Sequence, residues 1–122
     1  MRRSTLALIV TGVLATAVAA PALSGGSDST RAAVTVRMGE FFFRPKLVTV
    51  HVGQTVRFVN VGKIQHTVAD TDRRWNIRSK LIKPRPLNHG AVQTVRFSHA
   101  GTVYYLCTFH PTLMRGRIVV VP

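Results

Sequence analysis

The sequence predicts an all-β fold in the form of a β-sandwich. Two observations carry this prediction: apolar residues recur at every second position over short stretches, and glycine-containing turns separate these stretches. Alternation with period two places successive side chains on opposite faces of a strand, so that one face of each strand can enter a core. No convincing amphipathic helical pattern follows residue 24. We expect about seven to eight short strands, as in other two-sheet sandwiches.

The predicted strands follow one another from residue 32 to the end of the chain. In the first of them, Val34 and Val36 alternate with Thr35 and Arg37. The later alternating sets are Val48-Val50-Val52, Val56-Phe58, Val95-Phe97 and Val103-Tyr105-Cys107, followed by an apolar strand over 117–121. Turn residues at 53–54 and 100–101 separate several of these sets.

One long stretch breaks the alternation. Residues 70–90 are irregular and rich in arginine and lysine, and Pro84 and Pro86 argue against a central strand there. The stretch is predicted to be a basic surface connection, with a short edge strand at Leu81 and Ile82. Its candidate docking charges are Arg73, Arg74 and Arg78.

The N-terminal residues predict a secretory signal peptide over 1–24. Arg2 and Arg3 precede an uninterrupted apolar run from residue 6 to residue 20, and small residues suited to cleavage lie at its end. The run is short for a transmembrane helix, so stable membrane insertion is not expected; an uncleaved anchor or a buried helix is the alternative. Residues 25–31 are small and polar and predict a flexible lead-in, followed by one domain over 32–122.

The charge of the chain is strongly one-sided. The net charge is +13, or +11 without Arg2 and Arg3, and only four residues are acidic. Such a surface favours acidic protein partners or anionic membrane surfaces. Export argues against nucleic acid, and no motif for binding it is visible. The scarcity of carboxylates, with no serine–histidine–aspartate set, leaves little for acid–base catalysis, so the chain is not expected to be an enzyme.

The cysteine content points to one residue. Cys107 is the only cysteine, so no intramolecular disulfide can form. A free thiol is a liability in an oxidising compartment unless something occupies it. Small exported domains often add disulfides or a metal to a limited core. Cys107 is therefore the first candidate for a metal ligand.

The segment that begins at Cys107 carries further ligand types. Cys107, His110 and Met114 place a thiolate, an imidazole and a thioether within eight residues. These donors suit a soft or borderline metal, copper above all. His66, far upstream, is the candidate for a remote fourth ligand. Taken alone, each of these residues more often has a structural role, and only their combination favours a metal site.

With these motifs the sequence resembles the cupredoxins, the blue copper proteins that include plastocyanin and amicyanin. The resemblance covers most of residues 32–122 and includes Val-x-Val-x-Val-Gly-x-Thr-Val-x-Phe-x-Asn over 48–60 and the isolated His66. It continues in Ala-Gly-Thr-Val-Tyr-Tyr-x-Cys before the loop and His-Pro-x-x-Met-Arg-Gly-x-Ile-Val-Val after it. This combination is specific, whereas Cys-x-x-His alone is weak.

The resemblance implies a Greek-key β-sandwich with one type 1 copper ion at one end. His66, Cys107 and His110 would be the trigonal ligands and Met114 the weak axial ligand. The implied function is a periplasmic or extracellular carrier of one electron between redox partner proteins, expected to be monomeric. The alternative is a copper chaperone or store without electron transfer. Such proteins favour open sites rich in methionine and histidine, and this chain has only three methionines.

The chain departs from the usual pattern of the family at two positions. Three residues separate His110 from Met114, where two or four are more familiar, and this spacing leaves Leu113 as an alternative occupant of the axial position. Thr67 follows the first histidine, where many cupredoxins have asparagine. A hydroxyl and a backbone N–H can substitute for the asparagine, with an effect on the reduction potential.

The residues beside Cys107 argue against a multicopper oxidase. In those enzymes histidines flank the cysteine on both sides and link the blue site to a trinuclear cluster. Here the neighbours are Leu106 and Thr108, so that link is missing.

Overall fold

The computed structural model describes residues 12, 13, 15–17 and 31–122. Within these residues the chain forms eight strands and no helix. The strands are β1 (Val34–Gly39), β2 (Phe42–Arg44), β3 (Leu47–His51), β4 (Thr55–Asn60), β5 (Ala69–Thr71), β6 (Val92–Arg96), β7 (Gly101–Leu106) and β8 (Arg115–Val121). The predicted all-β sandwich of seven to eight strands is confirmed.

The strands form two four-stranded sheets. Their orders are β2-β1-β4-β6 and β3-β8-β7-β5. Neighbouring strands are antiparallel except for β1 with β4 and β3 with β8, which are parallel. Because β3 lies in the opposite sheet from β2 and β4, the chain crosses between the sheets, in agreement with the Greek-key architecture expected of this sandwich.

The core lies between the two sheets and contains the apolar residues that the alternation assigned to it. Val34 and Val52 are only partly buried, because they lie near strand ends. The fully or nearly buried strand residues include Val36, Met38, Phe43, Val48, Val50, Val56, Phe58, Val95, Val103, Tyr105, Ile118 and Val120. Each of these sets alternates with half-buried or exposed residues, as expected for strands with one face on a core.

The predicted edge strand at Leu81 and Ile82 is wrong. The backbone N–H groups of both residues donate to the side-chain Oδ1 of Asp70, at 2.8 and 2.7 Å, and not to the backbone carbonyl groups of a strand. Ile82 and Leu87 are buried in the core. The connection between β5 and β6 is therefore irregular and basic, as predicted, but it also contributes apolar side chains to the interior.

The predicted signal peptide over 1–24 and lead-in over 25–31 fall largely outside the described residues. In the described part of the chain, no helix has the length and apolar character needed to cross a membrane. All eight strands lie between residues 34 and 121.

Candidate metal centre

The topology brings the four predicted ligands to one end of the sandwich. His66 lies between β4 and β5, whereas Cys107, His110 and Met114 lie between the end of β7 and the start of β8. β5 pairs with β7 so that Ala69 is opposite Leu106. The segment that enters β5 and the loop that leaves β7 consequently meet at the same sheet end.

The loop after β7 is closed by its own backbone. Cys107 N–H donates to Met114 O at 3.1 Å, which places both residues at the base of the loop. His110 N–H donates to Cys107 O at 3.2 Å, and Met114 N–H donates to His110 O at 3.0 Å. These bonds hold the three ligand candidates of the loop in a fixed relative arrangement.

His66 is held by the long connection between β5 and β6. Its N–H donates to Leu87 O at 3.1 Å, and Leu87 N–H donates back to His66 O at 2.9 Å. The side chain of Asn60 also donates to Leu87 O at 2.8 Å. Sequence reasoning missed this role of Leu87, because the bonds use its backbone N–H and C=O groups, which leave no signal in the sequence.

The distance between His66 and Cys107, the two ligand candidates joined by a measured contact, is suitable for binding one shared metal ion. His66 Nδ1 lies 3.9 Å from Cys107 Sγ, and both residues are fully buried. Bonds of about 2.0 Å to imidazole nitrogen and about 2.3 Å to thiolate sulfur, at about 120° to each other, put these atoms about 3.7 Å apart. The donor set is thiolate, imidazole and thioether, which suits copper.

His110 lies farther from the other ligand candidates. The rings of His66 and His110 have centroids 5.6 Å apart, and His110 is partly exposed. Among the described residues, no three side chains of histidine, cysteine, aspartate or glutamate form a metal-holding group as they stand. The structure thus brings His66 and Cys107 together and leaves His110 at the rim of the same site.

Burial distinguishes the two candidates for the axial position. Met114 is 0% exposed and belongs to the same core cluster as Cys107, whereas Leu113 is 64% exposed. The arrangement therefore favours Met114, because an exposed Leu113 side chain points away from the buried sulfur of Cys107.

Thr67 connects the two halves of the site. Its N–H donates to Cys107 Sγ at 3.4 Å, and its hydroxyl oxygen lies 3.8 Å from the same sulfur. The hydroxyl also accepts the N–H of Thr108 at 2.8 Å. The hydroxyl and the backbone N–H of Thr67, at the position where many cupredoxins have asparagine, thus both contact the segment that carries the cysteine.

Glu40 is a residue of the site that sequence reasoning missed. Its Oε1 lies 3.2 Å from His66 Nε2 and accepts the N–H groups of Lys63 and Ile64, at 2.8 and 2.9 Å. The hydrogen bond from Ile64, with smaller contributions from His66 and Lys63, lowers the pKa of the Glu40 carboxyl. The available signal was its rarity, since the chain has only four acidic residues.

Several apolar side chains are exposed in the segments that form the site, and one of them contacts His110. The Phe41 ring lies 4.5 Å from the His110 ring, in an edge-on arrangement. Exposed large apolar residues at this end are Phe41, Ile64, Phe109 and Leu113, which together are called the apolar rim below. Exposed apolar residues grouped near a partly exposed histidine are typical of a contact surface.

Positive charges adjoin the apolar rim. A cleft of about 220 Å³ is lined by Phe41, Phe42, Phe43, Arg44, Lys46, Leu113 and Arg115. A second cleft of about 360 Å³ shares Lys46 and Arg115 with it and extends to Leu47, Trp75, Gly116 and Arg117. Because they share these two residues, the two clefts are treated as one surface, called the basic cleft below.

The arginines that the sequence offered for docking, Arg73, Arg74 and Arg78, do not line the basic cleft, although Trp75, next to Arg74 in the chain, does. The Arg78 guanidinium donates to Asp72 Oδ2 at 2.7 Å, so part of its charge is compensated. Arg73 lines a different hollow, together with Thr71, Asp72, Thr102 and Tyr104. That hollow shares no residue with the basic cleft.

Comparison with known proteins identifies one family. The model for copper binding proteins of the plastocyanin/azurin family matches residues 30–121. The chain is 28% identical over 88 residues to amicyanin from Paracoccus versutus, across 72% of this chain and 64% of that protein, which is just under two thirds of its length. It is 27% identical over 109 residues to amicyanin-alpha from Methylorubrum extorquens, across 85% of each.

Solved structures agree on the fold. A purple cupredoxin from Nitrosopumilus maritimus has a TM-score of 0.67 at 24% identity, across 72% of this chain and 99% of the other. A reduced Cu(I) form of an amicyanin variant has a TM-score of 0.63 at 27% identity, across 78% and 90%. A copper-containing nitrite reductase from Thermus scotoductus has a TM-score of 0.64 at 29% identity, across 87% of this chain and only 25% of the reductase.

Proposed function

The chain belongs to the plastocyanin/azurin family of copper-binding proteins, and on this premise we propose that it is an exported carrier of single electrons. Its cofactor is copper, which supplies a couple between the Cu(I) and Cu(II) states. The observation that carries the proposal is the pairing of a buried cysteine sulfur with a buried imidazole nitrogen, 3.9 Å apart, and a second, partly exposed imidazole nearby. Such a site keeps the metal inside and leaves one ligand available for electron exchange.

We propose His66, Cys107 and His110 as the trigonal ligands and Met114 as the axial ligand. The burial of Met114 and the sulfur–nitrogen distance between Cys107 and His66 support this assignment. The spacing of three residues between His110 and Met114 is accommodated by a loop whose backbone bonds close at Cys107 and Met114.

The rigidity of the site favours a carrier over a chaperone or store. His66, Cys107 and Met114 are fully buried, and hydrogen bonds fix the segments that carry them. A site that keeps one geometry in both oxidation states exchanges electrons with little rearrangement of the protein. Handover of the metal itself would need these residues to become accessible to a second set of ligands.

His110 and the apolar rim are the proposed contact for redox partners. His110 is the partly exposed member of the proposed ligand set. The exposed ring of Phe41 packs against it, and the exposed Phe109 precedes it in the chain. Apolar contact brings a partner close to the imidazole without the cost of leaving charged groups dehydrated.

The basic cleft is the proposed determinant of partner charge. Arg44, Lys46 and Arg115 line the same cleft as Phe41 and Leu113. A partner with carboxylates beside its own redox centre would be attracted to this surface and oriented by it.

A carrier and not an enzyme is proposed because Cys107 has leucine and threonine as neighbours. The histidines that would pass electrons to further copper ions are missing at both positions. The nitrite reductase shares the fold over a quarter of its own length, so its activity is not transferred to this chain.

Spectroscopy and voltammetry of the purified protein test the proposal. We expect one Cu(II) per chain, an intense blue colour from thiolate charge transfer, a reversible one-electron wave and slow loss of copper to a chelator. Cys107→Ser is the control and should lack the colour. A colourless copper complex with ordinary EPR splitting would contradict the type 1 site, and rapid handover without a reversible wave would indicate a chaperone or store.

A further inference from the structure

Glu40 lies behind His66, on the side of the ring opposite the cysteine. The two ring nitrogens of His66 have different neighbours: Nδ1 lies 3.9 Å from Cys107 Sγ, and Nε2 lies 3.2 Å from Glu40 Oε1. The histidine side chain is 0% exposed and the glutamate side chain 30% exposed. The carboxylate therefore reaches from the surface to the buried histidine.

The position of the carboxylate is fixed by the backbone around it. Its Oε1 accepts the N–H groups of Lys63 and Ile64 in addition to its contact with His66. Gly62 leaves the room that the carboxylate occupies, since a Cβ at that position would lie 2.8 Å from Glu40 Cδ. Two backbone donors thus fix one carboxylate oxygen beside the histidine, in space that Gly62 leaves open.

We propose that Glu40 is a positioning residue of the copper centre that sets both the tautomer of His66 and the balance between Cu(I) and Cu(II). This inference rests on the proposed function, because it takes His66 as a ligand. The inference adds a further determinant of the reduction potential: a carboxylate that acts on the copper through the ligand histidine.

The tautomer follows from the hydrogen bond. A neutral imidazole carries one N–H, and a carboxylate at Nε2 keeps that proton on Nε2. The lone pair then stays on Nδ1, which faces Cys107. Carboxylate partners of this kind orient ligand histidines and make them more basic.

The charge acts on the oxidation states unequally. A Cu(II) ion with one thiolate carries one more positive charge than the same site with Cu(I). A nearby carboxylate therefore stabilises the oxidised form more than the reduced form. Glu40 should hold the reduction potential below the value that the four ligands alone would produce.

The competing explanation is that Glu40 only fixes the loop at 62–64. Asp70 offers a matched control, because its Oδ1 also accepts two backbone N–H groups, those of Leu81 and Ile82, at 2.8 and 2.7 Å. No hydrogen bond joins the Asp70 side chain to a proposed ligand in the part of the chain that the structure describes. Asp70→Asn therefore removes a carboxylate that fixes a loop without touching the copper histidines.

The test compares Glu40→Gln with Asp70→Asn in the copper-loaded protein. The glutamine keeps an oxygen that can accept the same hydrogen bonds but removes the charge. We expect a blue Glu40→Gln protein in which the affinity for Cu(II) relative to Cu(I) falls on the order of tenfold, which raises the potential by about 59 mV. Asp70→Asn should leave the potential near that of the wild type.

A second measurement addresses the histidine directly. In the diamagnetic Cu(I) protein, nitrogen-15 NMR should show the His66 proton on Nε2, in slow exchange with water. Glu40→Asp keeps the charge but shortens the side chain, so this proton should exchange faster than in the wild type. This comparison also decides the matter if Glu40→Gln fails to bind copper.

Equal potentials in Glu40→Gln and the wild type, or equal shifts in Glu40→Gln and Asp70→Asn, would overturn the proposal and leave Glu40 as a loop clamp. An unchanged exchange rate in Glu40→Asp would do the same. Failure of the proposed function has a different signature, since the wild type would then lack a blue copper centre or a reversible wave.

Discussion

At the scale of single residues, the environment of the Cys107 sulfur distinguishes this chain from the usual family pattern. Thr67 supplies a backbone donor 3.4 Å from the sulfur and a hydroxyl that binds the Thr108 N–H. In type 1 copper sites, the protein adjusts the reduction potential through the identity of the axial ligand and through the hydrogen bonds around the cysteine sulfur. With Cys107 as the proposed copper ligand, Thr67 is placed to influence the reduction potential through these contacts.

Met114→Leu tests the axial assignment. Three strong bonds hold copper in a trigonal site, and a long thioether bond adds little affinity, so the variant should keep both its copper and its blue colour. Loss of a donor to Cu(II) should raise the reduction potential by on the order of 59 mV, which corresponds to a tenfold change in relative affinity. Cyclic voltammetry measures the shift.

Leu113→Ala is the matched control, because Leu113 is the exposed neighbour. Its potential should equal that of the wild type. A shift in Leu113→Ala together with an unchanged Met114→Leu would show that residue 113, and not Met114, faces the copper.

At the scale of elements, the β7–β8 hairpin supports the ligand loop. Leu106 pairs with Arg115 directly below the loop, and Tyr105 pairs with Gly116. The Tyr105 ring packs edge-on against Phe43 and Phe58, with centroid distances of 4.8 and 5.2 Å. The register of the hairpin therefore links the base of the loop to the aromatic centre of the core.

Gly116→Ala should destabilise this hairpin. A Cβ at position 116 would lie 2.8 Å from Tyr105 Cε2, so the ring would have to move against Phe43 and Phe58. Overpacking of this kind costs about 1–3 kcal/mol. Urea unfolding of the copper-free protein measures the loss, with exposed Arg117→Ala as the control. Equal stability of the two variants would show that Tyr105 has room to shift.

At the scale of the whole molecule, the net charge is strongly positive and basic residues lie beside the proposed copper end. The chain carries a net charge of +13, and Arg44, Lys46 and Arg115 lie in the cleft beside the apolar rim. Charges near a contact surface mainly change the rate of association and its dependence on salt. The basic cleft, more than Arg73 or Arg78, is therefore placed to steer a partner to His110.

Electron transfer to an acidic partner should slow as salt is added, because screening acts over about 8 Å at physiological ionic strength. Charge reversal of Arg44 and Lys46 to glutamate should slow transfer more than the same change at Arg57, an exposed residue in the middle of β4. Stopped-flow rates at several salt concentrations measure the effect. Rates that do not depend on salt would exclude electrostatic steering.

Export predicts a shortened mature chain. Cleavage after Ala19 or Ser24 would remove Arg2, Arg3 and the apolar run. N-terminal sequencing of protein recovered from outside the cytoplasm should therefore begin at residue 20 or 25. Recovery of an intact Met1 in a membrane fraction would indicate an anchor.

The sequence by itself predicted most of the strands, the family and the donor types, but it assigned no alternating set to β2 or β5, which have only three residues each. Alternation, turn residues and the chemistry of Cys107, His110 and Met114 are local properties, and each can be seen within a few residues. The wrong prediction of a strand at Leu81 and Ile82 also came from a local pattern. A short apolar pair does not reveal that the Asp70 carboxylate, eleven residues earlier, binds its backbone N–H groups.

Only the tertiary structure decided what surrounds those donors. Glu40 and His66 are 26 residues apart in sequence, Asn60 and Leu87 are 27 apart, and the basic cleft combines residues from β2 to the start of β8. Contacts of this kind depend on how strands pair and sheets pack across the whole chain. No local pattern encodes them, because the same short segments could meet different partners in another register.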